Sequence, residues 1–144
     1  MAEKHIYQEL EKRIQELEQA EIKYKKNEKA MQGSLMSLRA AVDDAPLLIC
    51  SYLSGGEISF VNKAYCDYFG KTLDELVGSN FLSLIPEGDK KTVMDNISAL
   101  TVESPIQSHE HSVIALNNDI RWHRWTNRAI FDDRRKVVGY QSIG

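Results

Sequence analysis

Residues 45–78 read APLLICSYLSGGEISFVNKAYCDYFGKTLDELVG, and the punctuation of that stretch decides the fold. The apolar run Leu47–Leu53 lies between Ala45-Pro46 and Ser54-Gly55-Gly56, and Ile58–Val61 resumes in β-favouring residues. Two strands joined by a glycine turn are expected. Asn62 stands directly before Lys63–Phe69, where its side-chain oxygen can accept from the free N–H groups of a short helix, and Gly70 closes that helix. Thr72 with Glu75 three residues on forms a capping box for a second short helix that ends at Gly78.

Towards the C-terminus, Asp89 is placed to cap a third helix running to Leu100, with Val93, Met94, Ile97 and Leu100 on one face. Ile106–Leu116 and Ile120–Phe131 are long strand-like runs around Asn117-Asn118, and Val137–Ile143 follows the polar turn at residues 132–136. Two strands, a cluster of short helices and three more strands make an α+β domain. Its architecture is a five-stranded antiparallel sheet with short helices on one face.

If Asn117-Asn118 forms the hairpin tip, residues whose numbers sum to 235 face each other, so His111 opposes Arg124 and His123 opposes Ser112. In that register His123 points away from His109 and His111. A His-x-His pair with a cation beside it and no third ligand predicts no metal site. The register gathers Ser108, Glu110, Ser112, His123, Trp125 and Asn127 on one face, and Trp122, Arg124, Thr126 and Arg128 on the other.

Towards the N-terminus the texture changes. Residues 1–44 contain one glycine, Gly33, and no proline, and are dominated by Glu, Lys, Gln, Ala and Leu, which is the composition of a long helix. Tyr7, Leu10, Ile14, Leu17, Tyr24, Met31, Leu35, Leu38 and Val42 fall at alternating steps of three and four, with Glu21 and Glu28 completing the heptad seam. So narrow an apolar stripe predicts a coiled coil, most simply with a second copy of the chain. Arg13 at g can reach Glu18 at e of a parallel partner, which favours a parallel homodimer. Glu21 and Glu28 would bring like charges together mid-seam, and Gly33 costs about 1 kcal/mol relative to alanine, so the middle is expected to be loose.

The whole chain of 144 residues has room for one core and an appendage, and its 42% hydrophobic and 27% charged residues fit a globular protein. A formal charge of −3 without a basic block argues against nucleic acid. No apolar run approaches the roughly 20 residues of a membrane span, and MAEKHIYQEL lacks a signal-peptide core, so a cytoplasmic protein without membrane contact is expected. Cys50 and Cys66 have no CxxC spacing and read as small buried side chains rather than a disulfide.

Three segments, "APLLICSYLSGGEISFVNKAYCDYFGKTLDELVG", "IRWHRWTNRAIFDD" and "VVGYQSIG", resemble the PAS domain over residues 45–144. The most specific parts are Val61-Asn62 opening a helix, Phe69-Gly70 before the "T.DELVG" segment, and the Arg121-Trp122 strand that ends in Phe131-Asp132-Asp133. The resemblance implies a helix-covered five-stranded sheet, an N-terminal helix that mediates dimers, and a cytoplasmic effector of the same chain, a histidine kinase or a cyclic-dinucleotide enzyme, coupled through an Asp-x-Thr element beyond the last strand. It also implies that the face carrying Ser108, Glu110, Ser112, His123, Trp125 and Asn127 turns towards the helices as a ligand pocket.

Departures from the family's cofactor-binding members matter equally. Residues 89–100 carry no histidine where haem-binding members place their iron ligand, and residues 79–83 carry no cysteine where blue-light members form a flavin adduct. Non-covalent flavin, with Trp125 as a stacking surface, stays open. No nucleophile elbow, phosphate-binding glycine loop or His-Glu-x-x-His is present. The expectation is a non-enzymatic regulatory module of a two-component type of system: residues 1–44 a signalling coiled coil, residues 45–144 a sensor domain passing ligand or conformational state to an effector. A ligand-free dimerisation module and a flavin- or metal-binding redox sensor are the alternatives.

Overall fold

The computed structural model describes all residues, Met1–Gly144. The chain divides into two compact units, Met1–Ala41 and Val42–Gly144. The first consists of most of a single helix, α1 (Ala2–Asp44), none of whose residues is buried. Its composition of strong helix formers sustains 43 residues through Gly33. Exposed i,i+3 and i,i+4 ion pairs such as Arg13–Glu16 and Glu21–Lys25 add a few tenths of a kcal/mol each, about 0.3–0.5. Tyr7, Leu10, Ile14, Leu17, Tyr24, Met31, Leu35 and Leu38 are all open to solvent.

The second unit is the α+β domain. Its strands β1 (Ile49–Leu53), β2 (Ile58–Val61), β3 (Ile106–Ile114), β4 (Ile120–Phe131) and β5 (Val137–Ile143) form one antiparallel sheet in the order β2-β1-β5-β4-β3. Between β2 and β3 come α2 (Lys63–Phe69), α3 (Leu73–Leu76), a 3-10 turn (Phe81–Leu84) and α4 (Glu87–Ser98). These elements are short, so each is fixed by one or two buried side chains, and α2, α3 and the 3-10 turn also by side-chain N-caps. Thr72 and Glu75 make the expected capping box, and Leu76 is the buried anchor of α3, a contribution of about 2 kcal/mol. Gly70 closes α2 at φ 64°, and a side chain there would collide with Leu116 of the β3–β4 loop. The core joins Cys50, Ile58, Val61 and Tyr140 of the sheet to Tyr65, Phe69, Val93 and Ile97 of the helices.

Besides shifts of one or two residues at element ends, two differences from the sequence reading bear on the site. The third domain helix begins at Glu87, behind Pro86, so Asp89 lies within its first turn and complements the helix dipole instead of capping it. The β3–β4 loop holds three residues, Leu116–Asn118, not two. Ala115 N–H donates to Asp119 O at 2.7 Å, while Asn117 and Asn118 both take left-handed angles that asparagine tolerates. The pairing is therefore Ile114↔Ile120, His111↔His123 and Glu110↔Arg124, one residue off the expected register. Such a slip exchanges the faces of one strand relative to the other.

Candidate functional site

The face of the sheet that meets the helices follows from this register. His109 pairs with Trp125, His111 with His123 and Gln107 with Asn127, and on the next strand Asn127 pairs with Ser142. Of the six expected pocket residues, His123, Trp125 and Asn127 lie on this inner face. Ser108, Glu110 and Ser112 do not: the three-residue loop turns them to the outer face, beside Trp122, Arg124 and Thr126. There the Ser108 hydroxyl bonds to that of Thr126 at 2.8 Å, and Glu110 Oε1 accepts from Arg124 at 2.8 Å. The Arg124 guanidinium holds the exposed Glu110 carboxyl below its usual range. Trp122 is 66% exposed, its ring N–H directed to Glu110 Oε2 at 3.3 Å.

The same correction brings His109, His111 and His123 to one face. Two of the rings are already engaged: His111 Nδ1 with Ser112 O at 2.9 Å, and His123 Nε2 with the Tyr68 hydroxyl at 2.7 Å. No group of three or more His, Cys, Asp or Glu side chains gathers in metal-binding geometry.

Between the sheet and the helices lies a cavity of about 30 Å³. Cys50, Tyr65, Ser142 and Asn127 form part of its wall, Leu84, Ile85, Val93, Asn96 and Ile97 its helix side, and Trp125 and His109 project from neighbouring strands. No Lys, Arg, Asp or Glu lines it. The Ser142 hydroxyl donates to Asn127 Oδ1 at 2.5 Å and lies 3.3 Å from the Tyr52 hydroxyl, so this corner is internally satisfied. Burial pushes the Cys50 thiol up to about 12, with the Tyr65 and Ser142 hydroxyls acting against it, and raises the Tyr65 phenol well above its ordinary value. Burial also lowers the His111 pKa, which its bond to Ser112 O partly offsets. Burial thus favours the neutral forms of Cys50, Tyr65 and His111.

Two buried polar atoms in this region lack a hydrogen-bond partner: His109 Nε2 and Trp125 Nε1. The Trp125 ring is packed among Tyr65, His111 and His123 at centroid distances of 6.2, 6.3 and 5.7 Å, and a Cβ on Gly144 would fall 2.7 Å from its six-membered ring. That crowding, with the small cavity, contradicts Trp125 as a stacking surface for flavin. Cys50, Tyr65, His109 and Ser142 are pocket residues that the sequence reading missed. The inward alternation of β5 through Tyr140 and Ser142 was a usable signal.

At the start of α2, Asn62 is fully buried and uses both ends of its amide. Oδ1 accepts from Ile49 N–H and Tyr65 N–H, each at 3.1 Å, and Nδ2 donates to Val42 O at 3.0 Å and Leu47 O at 2.8 Å. Asp43 reciprocates by accepting from Lys63 N–H at 3.0 Å. The end of α1 and the start of α2 therefore cap each other.

A helix-covered antiparallel sheet with this order, and the family model for the PAS fold matching residues 42–143, settle the family. The chain belongs to the PAS fold family. Its PAS domain is similar to a segment of the two-component sensor PprA of Pseudomonas aeruginosa, 24% identical over 106 residues that make up 74% of this chain and 12% of that protein. The chain thus spans about an eighth of the length of that curated relative. Among solved structures it resembles the PAS domain of an HTR-like protein from Haloarcula marismortui (18% identity, 83% of this chain and 96% of that one, TM-score 0.71). It also resembles the PAS domain of BvgS from Bordetella pertussis (22% identity, 81% and 86%, TM-score 0.56). At these identities the solved structures show a shared fold. No helix of the chain is long and apolar enough to cross a membrane.

Proposed function

We propose that this chain is the sensory and dimerisation segment of a two-component sensor protein, which pairs with a second copy in parallel through α1 and passes the state of its PAS core to an effector of the same polypeptide. One observation carries the reading: a helix of 43 residues whose heptad ridge is exposed from Tyr7 to Leu38, joined in sequence to a PAS core. Leaving eight large apolar side chains in water is costly, since burying each against a partner recovers about 1.5–3 kcal/mol. The similarity to a two-component sensor supports a histidine kinase as effector over a cyclic-dinucleotide enzyme. The role is regulatory, in a cytoplasmic setting, and catalysis belongs to the effector.

The small size of the cavity favours a second reading, a dimerisation module with an effectively closed core. Both readings are tested together. Sedimentation of the chain against an Ile14→Glu, Leu17→Glu variant is expected to give a dimer and a monomer, and an unchanged oligomeric state refutes pairing through α1. Native mass spectrometry, compared with the denatured mass, then separates a ligand-carrying sensor from the closed module.

A further inference from the structure

The two unsatisfied ring nitrogens belong to His109 and Trp125, which are cross-strand partners on the inner face. Facing side chains in such a pair have Cβ atoms about 4.5–5.5 Å apart, so both rings can reach a single atom. Trp125 is 5% exposed, and its Nε1–H can only donate. An isolated donor in that position carries a desolvation cost unless something in the cavity accepts from it. The occupant must therefore bring an acceptor. An ammonium group brings none, and a carboxylate would bury its charge where no Lys or Arg lines the wall. The far wall is apolar at Leu84, Ile85 and Val93, with the neutral Asn96 amide of α4 beside them.

Resting on the sensor reading above, we propose that the cavity is a receptor for an uncharged oxygen compound, a short primary amide, ketone or alcohol, whose oxygen lies between Trp125 Nε1 and His109 Nε2 and whose alkyl end rests on Leu84, Ile85 and Val93. A cavity of about 30 Å³ limits that occupant to roughly two to four non-hydrogen atoms. A hydroxyl or carbonyl oxygen has two lone pairs and can serve both nitrogens when His109 carries its proton on Nε2. Larger cofactors do not fit. The Asn127–Ser142–Tyr52 corner is already satisfied and contributes shape.

The indole N–H signals in nitrogen–proton spectra of the ¹⁵N-labelled full chain test this directly, because the chain has two tryptophans and Trp122 is exposed on the opposite face. Acetamide is the probe and acetate its charged isostere. Acetamide is expected to shift the Trp125 indole signal saturably and leave that of Trp122 in place, while acetate at the same concentrations moves neither. Trp125→Phe and His109→Leu, followed through backbone signals of Cys50 and Val93, are each expected to weaken acetamide binding about fivefold, the equivalent of one neutral hydrogen bond. A Trp125 signal that acetamide does not move, equal responses to acetamide and acetate, or wild-type affinity in both variants overturns the proposal. The comparison of the two probes on the unmodified chain stands even if a variant fails to fold. Spin-label distances across the α1 pair in the same samples keep the two ideas apart: a Trp125 shift without a distance change removes the relay and leaves the receptor, and a dimer with a silent Trp125 removes the receptor and leaves the dimerisation module.

Discussion

Replacing Asn62 by alanine removes four hydrogen bonds in one step, to Ile49 N–H, Tyr65 N–H, Val42 O and Leu47 O. Asn62 is 0% exposed, so the groups nearest it cannot simply turn to water. A typical intramolecular hydrogen bond contributes about 1 kcal/mol net, and a stranded buried donor costs about 1–3 kcal/mol. The Val42 and Leu47 carbonyls lie towards the chain entry and regain solvent more readily than the two N–H groups, so the sum is discounted from about 4 to roughly 3 kcal/mol. For a core of this size that corresponds to a fall in Tm of roughly 12–24 °C. Asn62→Ser separates the contributions. Its hydroxyl caps Tyr65 N–H as serine does at other helix starts, but is too short to donate to both carbonyls, and it is expected to recover about 1 kcal/mol. Urea unfolding of the full chain, followed by near-ultraviolet circular dichroism of the core aromatics, measures both differences. A loss below about 1 kcal/mol for Asn62→Ala, or no difference between the Ala and Ser variants, would show that Asn62 is not the tie inferred from the geometry.

Gly139 on β5 faces the backbone of β1: a Cβ there would lie 2.9 Å from Tyr52 O. Gly139→Ala must push the two strands apart, and an expected loss of about 1–3 kcal/mol in urea unfolding checks it, whereas a neutral substitution refutes the close approach. Burial lowers the His111 pKa below its ordinary 6.5, with the Ser112 carbonyl and Asp89 opposing and His109 adding to the shift. A depressed histidine binds its proton more readily in the unfolded chain, so its contribution is intact above about pH 6.5 and lost as pH falls below that value towards the folded pKa. His111→Gln is expected to flatten the fall in stability just below about pH 6.5, before the carboxylates titrate, and an unchanged pH profile counts against burial of the neutral ring.

The strands and helices were legible because their punctuation is local. The Asn62 cap, the Thr72–Glu75 capping box and the Gly70 stop depend on side chains and backbone groups within a few residues of one another, and each is present. The pocket was legible only in part because it depends on parity. Whether Ser108 or His109 faces the helices rests on whether the β3–β4 loop holds an even or odd number of residues, and Asn117-Asn118 looks like a two-residue tip until Leu116 is found inside the loop. Counting inward from β5 would have been safer. Asn62 was legible as a cap for α2, but its second role was not, because its bonds to Val42 and Leu47 span 20 and 15 residues and no spacing rule ties them together.

That second role bears on how a state of the cavity could reach α1. Tyr65 has one foot in each place: its ring borders the cavity and lies 6.2 Å from Trp125, while its N–H is held by Asn62 Oδ1, whose amide nitrogen holds the carbonyl of Val42. Intermediacy in space is not yet coupling, which requires an element with two arrangements that both ends bias. Under the proposed function that element is the α1 pair, because Glu21 and Glu28 on the seam oppose close pairing at mid-length while the apolar seam residues at both ends favour it. Occupancy of the cavity can shift such a pair only by its differential affinity for the two arrangements. An occupant of roughly two to four non-hydrogen atoms, at no more than about 1.5 kcal/mol per atom, has a total binding energy of at most about 3–6 kcal/mol, and its bias between two arrangements must be smaller. The seam must then be poised near balance for so small a signal to register, and it is in the middle of α1, at Glu21 and Glu28, that the sequence supplies the means.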